Sequence, residues 1–504
     1  MACELASEHN SSHRRITVNA TRRSALALVL LIALLVPATI AQQPNTEAQQ
    51  AAARLAGSIL VSGQSMKYLE DLTDKFGGRL TGSPAYNRSA EWAAEQFRAM
   101  GIQNVKLEPF TIPNGWERGY ARGRMVAPVE RHLFIESLGW APSTPAGGVR
   151  GELVKIGDIN ADKIKAQAGQ LKGRIIMLDL AAVFAHGFEG FAKIPAALQA
   201  FKDAGVGAVV VGDFENNNVL NAFSFDWGAH VSPLPVAQVG KEDAQLIDRL
   251  MRNGAVAIEF EYQNRVTGPT QVNNVIAEIP GRDKADEWLI IGAHLDSWDY
   301  GTGAQDNGSG TAMVMEAARA IAAMGRAPRR TIRFALWGGE EQGLLGSAAY
   351  VRAHQAELGK CIAVLNTDNG AGHPKGWKVE GRQDVASGLR DISKSWLAGL
   401  SGGGLSQEAS FDTDHGHFML EGVPALDLWV EMEGYGKVHH KSSDTIDKVD
   451  AHNLVLGTAV VAVTAYAIAE RDQPIAPHLD HHAVGEIVKK TNFAGFLKAI
   501  GVWE

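Results

Sequence analysis

The run Ile291-Gly-Ala-His-Leu-Asp-Ser-Trp-Asp-Tyr-Gly-Thr-Gly-Ala-Gln-Asp-Asn-Gly-Ser-Gly310 puts one imidazole and several carboxylates into a short stretch. His294 ends an apolar segment, and Asp296 follows two residues on, on the same side of an extended chain. A ligating imidazole commonly gives its second N–H to a carboxylate, which fixes tautomer and ring orientation, and Asp296 is placed for that. Asp306 arrives on a glycine-rich loop before a helix, positioned to offer both oxygens. A second cluster, Leu336-Trp-Gly-Gly-Glu-Glu-Gln-Gly-Leu-Leu-Gly-Ser347, sets Glu340 beside Glu341 after another apolar segment. Adjacent carboxylates can divide roles, one binding metal and the other, its pKa raised by burial and charge, acting as general base. Asp368 ends Val364-Leu-Asn-Thr-Asp368, and His439-His440 opens a run that reaches Asp444 and Asp447. Taken singly, a strand-end histidine is usually structural and a pair of glutamates usually solvated. Taken together, two histidines and three or more carboxylates at strand ends are the donor mixture that suits zinc, and a shared carboxylate suits two ions about 3.5–4 Å apart.

Such a constellation needs a rigid scaffold, and the chain from Val272 onward reads as one. Trp288–Ala293, Thr331–Trp337 and Cys361–Leu365 are apolar strands, and Gly308–Ala323 is a small-residue helix between the first two. Strand–helix alternation of this kind predicts a mainly parallel mixed sheet flanked by helices, an α/β fold. In such sheets ligands gather beyond the carboxyl ends of the strands, where the residues above fall. Upstream, Met66, Leu69, Leu72 and Phe76 share one helical face. Ser83-Pro84 opens a second helix ending at Gly101, and Val105–Phe110 alternates like a strand. Residues 120–268 have their own rhythm, with strands over Arg174–Leu178, Ala208–Val211 and Ala255–Phe260 and a helix over Ala196–Asp203. With no cluster of histidines and acids, this stretch reads as an inserted domain.

In this order, His-Leu-Asp-Ser, Asp-Asn-Gly-Ser-Gly, Glu-Glu-Gln-Gly-Leu-Leu-Gly-Ser and His-Lys-Ser-Ser-Asp-Thr resemble the motifs of the M28 family of co-catalytic zinc peptidases, and within it the carboxypeptidase Q branch. The likeness spans about residues 55–472 and includes Gly78-Arg-Leu-Thr-Gly-Ser83 and Trp116-Glu-Arg-Gly119. It implies two Zn2+ per chain, one held by His294 and Asp368, the other by Glu341 and His440, with Asp306 bridging. It also implies Glu340 as general base, Asp296 as partner of His294, a zinc-peptidase α/β/α sandwich, and residues 120–268 as a protease-associated, β-rich insertion. The activity implied is exopeptidase: hydrolysis of dipeptides or of the terminal residue of short peptides, Glu340 carrying a proton from the attacking water to the departing amine. Some relatives have a tyrosine just before the last ligand as oxyanion donor. Here His439 stands there and Tyr435 lies further back, so the donor is open between them. Asp414, in a loop that relatives place near the substrate, is a candidate for a substrate ammonium, weighed against a solvated loop.

Bulk properties narrow the rest. A length of 504 residues predicts more than one unit, and 45% hydrophobic with 21% charged residues is a globular composition. A formal charge of −8 gives no footprint for nucleic acid. Arg14, Arg15, Arg22 and Arg23 precede the apolar run Ala25–Val36 and small residues up to Ala41, the parts of a secretory leader. The run is shorter than the ~20 residues of a membrane span. An exported protein, periplasmic or extracellular, is expected, without a membrane span after leader cleavage. Of two cysteines only Cys361 lies outside that leader, so no internal disulfide is expected in the mature chain. The expected organisation is a signal peptide over 1–41, an N-terminal part of the catalytic domain over 42–119, the insertion over 120–268, the catalytic domain over 269–475 and a tail over 476–504. The branch also resembles homodimers. Two other functions are compatible with a fold of this kind: a glutaminyl-cyclase-like acyltransferase with one zinc, and a receptor-like binding module with none. A full ligand set favours the two-metal peptidase over both.

Overall fold

A computed structural model describes residues 47–184, 187–499 and 501–503. The expected leader, with Cys3, lies outside the described residues. The central sheet has eight strands: β1 (Asn104–Glu117), β2 (Arg265–Ile279), β3 (Lys284–His294), β4 (Arg330–Trp337), β5 (Cys361–Asn366), β6 (Pro374–Lys378), β7 (Gly404–Ser406) and β8 (Ala425–Val430). Their spatial order is β1-β2-β4-β3-β5-β8-β6-β7. The middle run β4-β3-β5-β8 is parallel, while β2 pairs antiparallel to both β1 and β4, and β6 runs antiparallel to β8. Trp288 to His294 of β3 and all of β5 are buried. Unbroken apolar strands are what a parallel sheet covered on both faces requires.

Helix Ser309–Ala322 and helix Ala451–Glu470 pack against one face of this sheet. The second is apolar all round and starts at Asp450, whose side chain accepts the N–H of Asn453. Among the described residues it is the one helix long and apolar enough to cross a membrane, and it is mostly buried within the protein. That is the signature of a core helix.

Residues 121–262 supply all eight strands of a second mixed sheet, with their own core around Ile175, Val209, Val236, Ile258 and Phe201. The expected strands and helix occur as Ile175–Leu178, Ala208–Gly212, Ala257–Tyr262 and Ile194–Asp203. Helices Ile194–Asp203 and Lys241–Met251 accompany this sheet, so residues 121–262 combine its eight strands with helices. It leaves and rejoins the central sheet at one place, where Glu117 of β1 pairs with Arg265 of β2. β1 runs well beyond the Val105–Phe110 stretch that alternation marks, because it is an edge strand, and edges tolerate Pro109 and Pro113 without loss of a ladder bond. The expected tail folds too. Helix His481–Lys490, capped by Asp480, and helix Ala494–Ala499 bury Val484, Val488, Phe496 and Leu497 against the far face of the central sheet.

One ion-paired histidine braces the edge of this fold. His354 Nε2 lies 2.9 Å from Glu108 of β1, its Nδ1 faces Glu357, and its ring stacks on Tyr350 at 4.1 Å. The Glu108 hydrogen bond, then Glu357, raise its pKa above the usual imidazole value despite partial burial. A raised folded-state pKa contributes stability that is fully present below the unfolded value of about 6.5 and is lost as pH rises through the folded one. The expected result is that His354→Ala lowers the melting temperature most at pH 6, with the gap to wild type narrowing by pH 9. A gap that widens with pH in paired thermal melts would refute the ion pairing.

Candidate metal centre

All five expected ligands converge beyond the carboxyl ends of the parallel strands. His294 ends β3, Glu340 and Glu341 follow β4, Asp368 follows β5, Asp306 lies on the loop before helix Ser309–Ala322, and His440 follows the short helix Glu433–Val438. His294 Nε2 is 3.0 Å from Asp368 Oδ1 and 3.3 Å from Asp306 Oδ1. On the other side, His440 Nε2 is 3.3 Å from Asp306 Oδ2 and 2.9 Å from Glu341 Oε2. Asp306 therefore turns one oxygen to each imidazole. Tetrahedral zinc ligands at ~2.0–2.1 Å from the ion stand about 3.3 Å apart, and these spacings fit that value. Beyond the His440 contact of Oε2, Glu341 Oε1 is buried without a hydrogen-bond partner among the described residues, a costly state for a carboxylate oxygen unless something else meets it. The donor set fits a metal pair.

Local backbone explains the convergence. Gly303 takes φ 60°, and a Cβ there would come within 2.3 Å of Ser297. At Gly310 a Cβ would come within 2.2 Å of the Thr367 carbonyl. Only glycine lets the loop fold this tightly around Asp306. Asp444 holds the loop from outside, accepting the N–H groups of Gln305 at 2.8 Å and Asp306 at 3.1 Å. Arg79 is fully buried, and its guanidinium donates to the carbonyls of Leu295, Thr302, Gly303 and Gly77 at 2.8–3.0 Å. These supports were not assigned from the sequence. Of these, Arg79 lies within the run Gly78-Arg-Leu-Thr-Gly-Ser83.

Asp296 meets His294 with its main chain as well as its carboxylate. The acceptor nearest His294 Nδ1 is the Asp296 main-chain carbonyl at 3.0 Å, while carboxylate Oδ1 stands 3.6 Å away. The carboxylate also accepts from Thr81 Oγ1 at 2.7 Å and receives the N–H groups of Glu340 and Glu341 at 3.4 Å. It orients the turn that carries both glutamates.

Glu340 sits on the wall of a cavity of about 380 Å³, with Oε2 4.0 Å from His294 Nε2. Burial pushes its pKa well up; His294 opposes that, while Asp368, Glu341 and Asp414 add to it. Tyr435 and His439 line the same cavity, their rings 4.8 Å apart, and the His439 ring lies 3.8 Å from that of His440. His439 Nε2 also stands 3.5 Å from Asp306 Oδ2, which makes it a possible fourth donor on that side. Asp414 is 1% exposed and does not line the cavity; neighbouring Asp412 and Thr413 do. Phe496, from the expected tail, forms part of the wall and meets Trp227 of the insertion edge-on.

Comparison with known proteins agrees with this geometry. Residues 274–465 match the model of peptidase family M28. A solved peptidase M28 precursor from Shewanella amazonensis is 30% identical and superposes with a TM-score of 0.73, over 86% of this chain and 99% of that one. The chain belongs to peptidase family M28. It is a metallo-exopeptidase, and its substrates are peptides. Mouse (Mus musculus) carboxypeptidase Q is 28% identical over 421 residues, 81% of this chain and 86% of that protein. A zinc aminopeptidase from Bacillus subtilis shares the M28 fold at a TM-score of 0.62 and 20% identity, over 83% of this chain and 98% of that one.

Proposed function

We propose that this M28 peptidase is an exported enzyme that binds two zinc ions and removes the terminal residue from short peptides or splits dipeptides. The observation that carries the reading is Asp306, whose two oxygens face separate imidazoles at the same 3.3 Å. His294 and Asp368 would hold one ion, Glu341 and His440 the other, and Asp306 both. When bound, the pair supplies Lewis-acid polarisation and acidifies water. The protein's own groups do the rest. Glu340 faces the cavity, and its carboxylate takes a proton from water and returns it to the leaving amine. The Tyr435 hydroxyl, held protonated by burial and by the Asp306 and Asp368 charges, and the His439 ring are the nearby donors for developing oxyanion charge. Asp412, exposed on the rim, suits a substrate ammonium better than the buried Asp414.

An apolar chamber of about 380 Å³ opens beside Glu341 and His440, walled by Phe191, Phe223, Trp227 and Trp298. It suits a bulky uncharged side chain next to the scissile bond. Phe223→Ala is expected to lower kcat/KM roughly tenfold for dipeptides with leucine or phenylalanine there, with glycine-containing dipeptides little affected. An equal loss on both kinds of substrate would remove the chamber from substrate recognition. The proposal as a whole is tested by zinc per chain together with a panel of dipeptides blocked at either end. Two zincs and cleavage of unblocked dipeptides are expected; one zinc with cyclisation of N-terminal glutamine would favour the acyltransferase reading. Export, a homodimer and the residue ranges 42–119, 120–268, 269–475 and 476–504 as separate units belong to the same proposal, tested by cell fractionation, sedimentation and limited proteolysis.

A further inference from the structure

His440 takes the left-handed conformation, φ 57°, which is unfavourable for a residue with a Cβ and persists only where surrounding contacts over-determine it. Beside hydrogen bonds within its own segment, such as Lys441 N–H to the Val438 carbonyl, several of those contacts come from the insertion. The Ala222 N–H donates to the His440 carbonyl at 2.6 Å, and the Ser442 N–H donates to the Leu220 carbonyl at 3.0 Å. Asn221 and Lys441 thereby form an isolated antiparallel bridge. The Lys441 ammonium adds an ion pair to Glu215 at 3.0 Å. The inserted segment is itself wound around one carboxylate. Asp213, 6% exposed, accepts the main-chain N–H groups of Phe214 at 2.6 Å, Glu215 at 2.8 Å and Asn221 at 2.7 Å. It also accepts from the side-chain amides of Asn221, at 2.6 Å, and Gln238. Five donors on two oxygens leave this loop little freedom.

The backbone of the opposite metal position is tied within the central sheet. The His294 main-chain carbonyl accepts from Thr311 Oγ1 at 2.8 Å, and the Thr367 N–H, beside Asp368, donates to the Gly292 carbonyl at 3.0 Å. Both bonds lie within the central sheet and its first helix.

We propose that Asp213 is a positioning residue for the metal centre: by folding residues 213–222 into a hook it fixes the backbone of His440, so that the insertion helps to build one metal position and not the other. The inference rests on reading His440 as a metal ligand. Groups that hold a ligand in place typically govern metal affinity by about 10–100-fold. The test is titration of the metal-free protein with zinc against a chromophoric chelator, for wild type, Asp213→Asn, Glu215→Gln and His440→Ala. Asp213→Asn keeps the size of the side chain but offers one acceptor oxygen in place of two. It is expected to weaken one zinc by about 10–100-fold and leave the other unchanged. Glu215→Gln, at a partly exposed ion pair, is expected to weaken the same zinc several-fold with an unchanged melting temperature; it decides the matter if Asp213→Asn does not fold. Unchanged affinities in the folded hook variants, or equal weakening of both zincs, would overturn the proposal. If His440→Ala loses a zinc while the hook variants do not, the hook alone is refuted. If His440→Ala keeps both, the ligand reading falls with it.

Discussion

Glu340→Gln is expected to retain its full complement of zinc while losing about 10²–10⁴-fold in turnover, the range over which a positioned acid–base group contributes. The two glutamates are adjacent, yet their surroundings separate them. Glu341 Oε2 stands 2.9 Å from His440 Nε2, whereas the nearest imidazole nitrogen to Glu340 is 4.0 Å away, on the cavity side. An amide at 340 fills the same space and leaves every proposed ligand in place, so metal content and KM should hold. What is lost is the capacity to accept and return a proton, so kcat falls and the acid limb of the pH–rate profile disappears with it. Near-normal kcat, or a loss of zinc, would show that Glu340 binds rather than carries protons. Stopped assays on a dipeptide, with metal analysis of the same preparation, separate these outcomes.

The metal centre was legible in the sequence because each ligand follows an apolar strand or sits in a glycine-rich or serine-rich loop, and strand ends of one parallel sheet must lie together. His294, Asp306, Glu341, Asp368 and His440 converge as their motifs imply. Less legible were groups whose partners are distant in sequence. Thr81 reaches Asp296 across 215 positions, and Asp213 acts on His440 only through residues 220–222. Thr81 lies in the run Gly78-Arg-Leu-Thr-Gly-Ser83, but nothing local names its partner, and Asp213 has no pattern that sets it apart from a turn aspartate. Asp296 shows a further limit. Spacing places its carboxylate beside His294, but a two-residue step brings its main-chain carbonyl equally near, and the carbonyl makes the shorter contact. The tail over 476–504 shows another limit: its histidines at 478, 481 and 482 give it a polar look, while the apolar pair Val484 and Val488, one helical turn apart, marks a helix that packs.

Asp306→Asn is expected to have the largest effect on the metals themselves. Every other proposed ligand serves one side of the centre; Asp306 serves both, through oxygens that face His294 and His440. An amide keeps one weak oxygen donor and loses the charge, so both ions should be bound far more weakly than the ~10–100-fold cost of an outer-shell change. Asp368→Asn, on one side only, should cost one ion. A thermal readout separates loss of metal from loss of fold. Metal bound to the native state raises stability by RT ln(1 + [L]/Kd), so wild type should melt well above its chelator-treated form, and in Asp306→Asn that gap should nearly vanish. The metal-free variant itself should fold but melt somewhat below metal-free wild type, so the gap between chelated and zinc-loaded protein, not the absolute melting temperature, reads the metal. Burial opposes the charge on Asp306, but the His294 hydrogen bond and the His439 and His440 rings hold its carboxyl below the usual value, so its ion pairs stabilise the metal-free fold and an amide loses them. Two zincs retained by Asp306→Asn, with an undiminished gap in melting temperature, would end the case for a shared carboxylate and with it the two-metal reading.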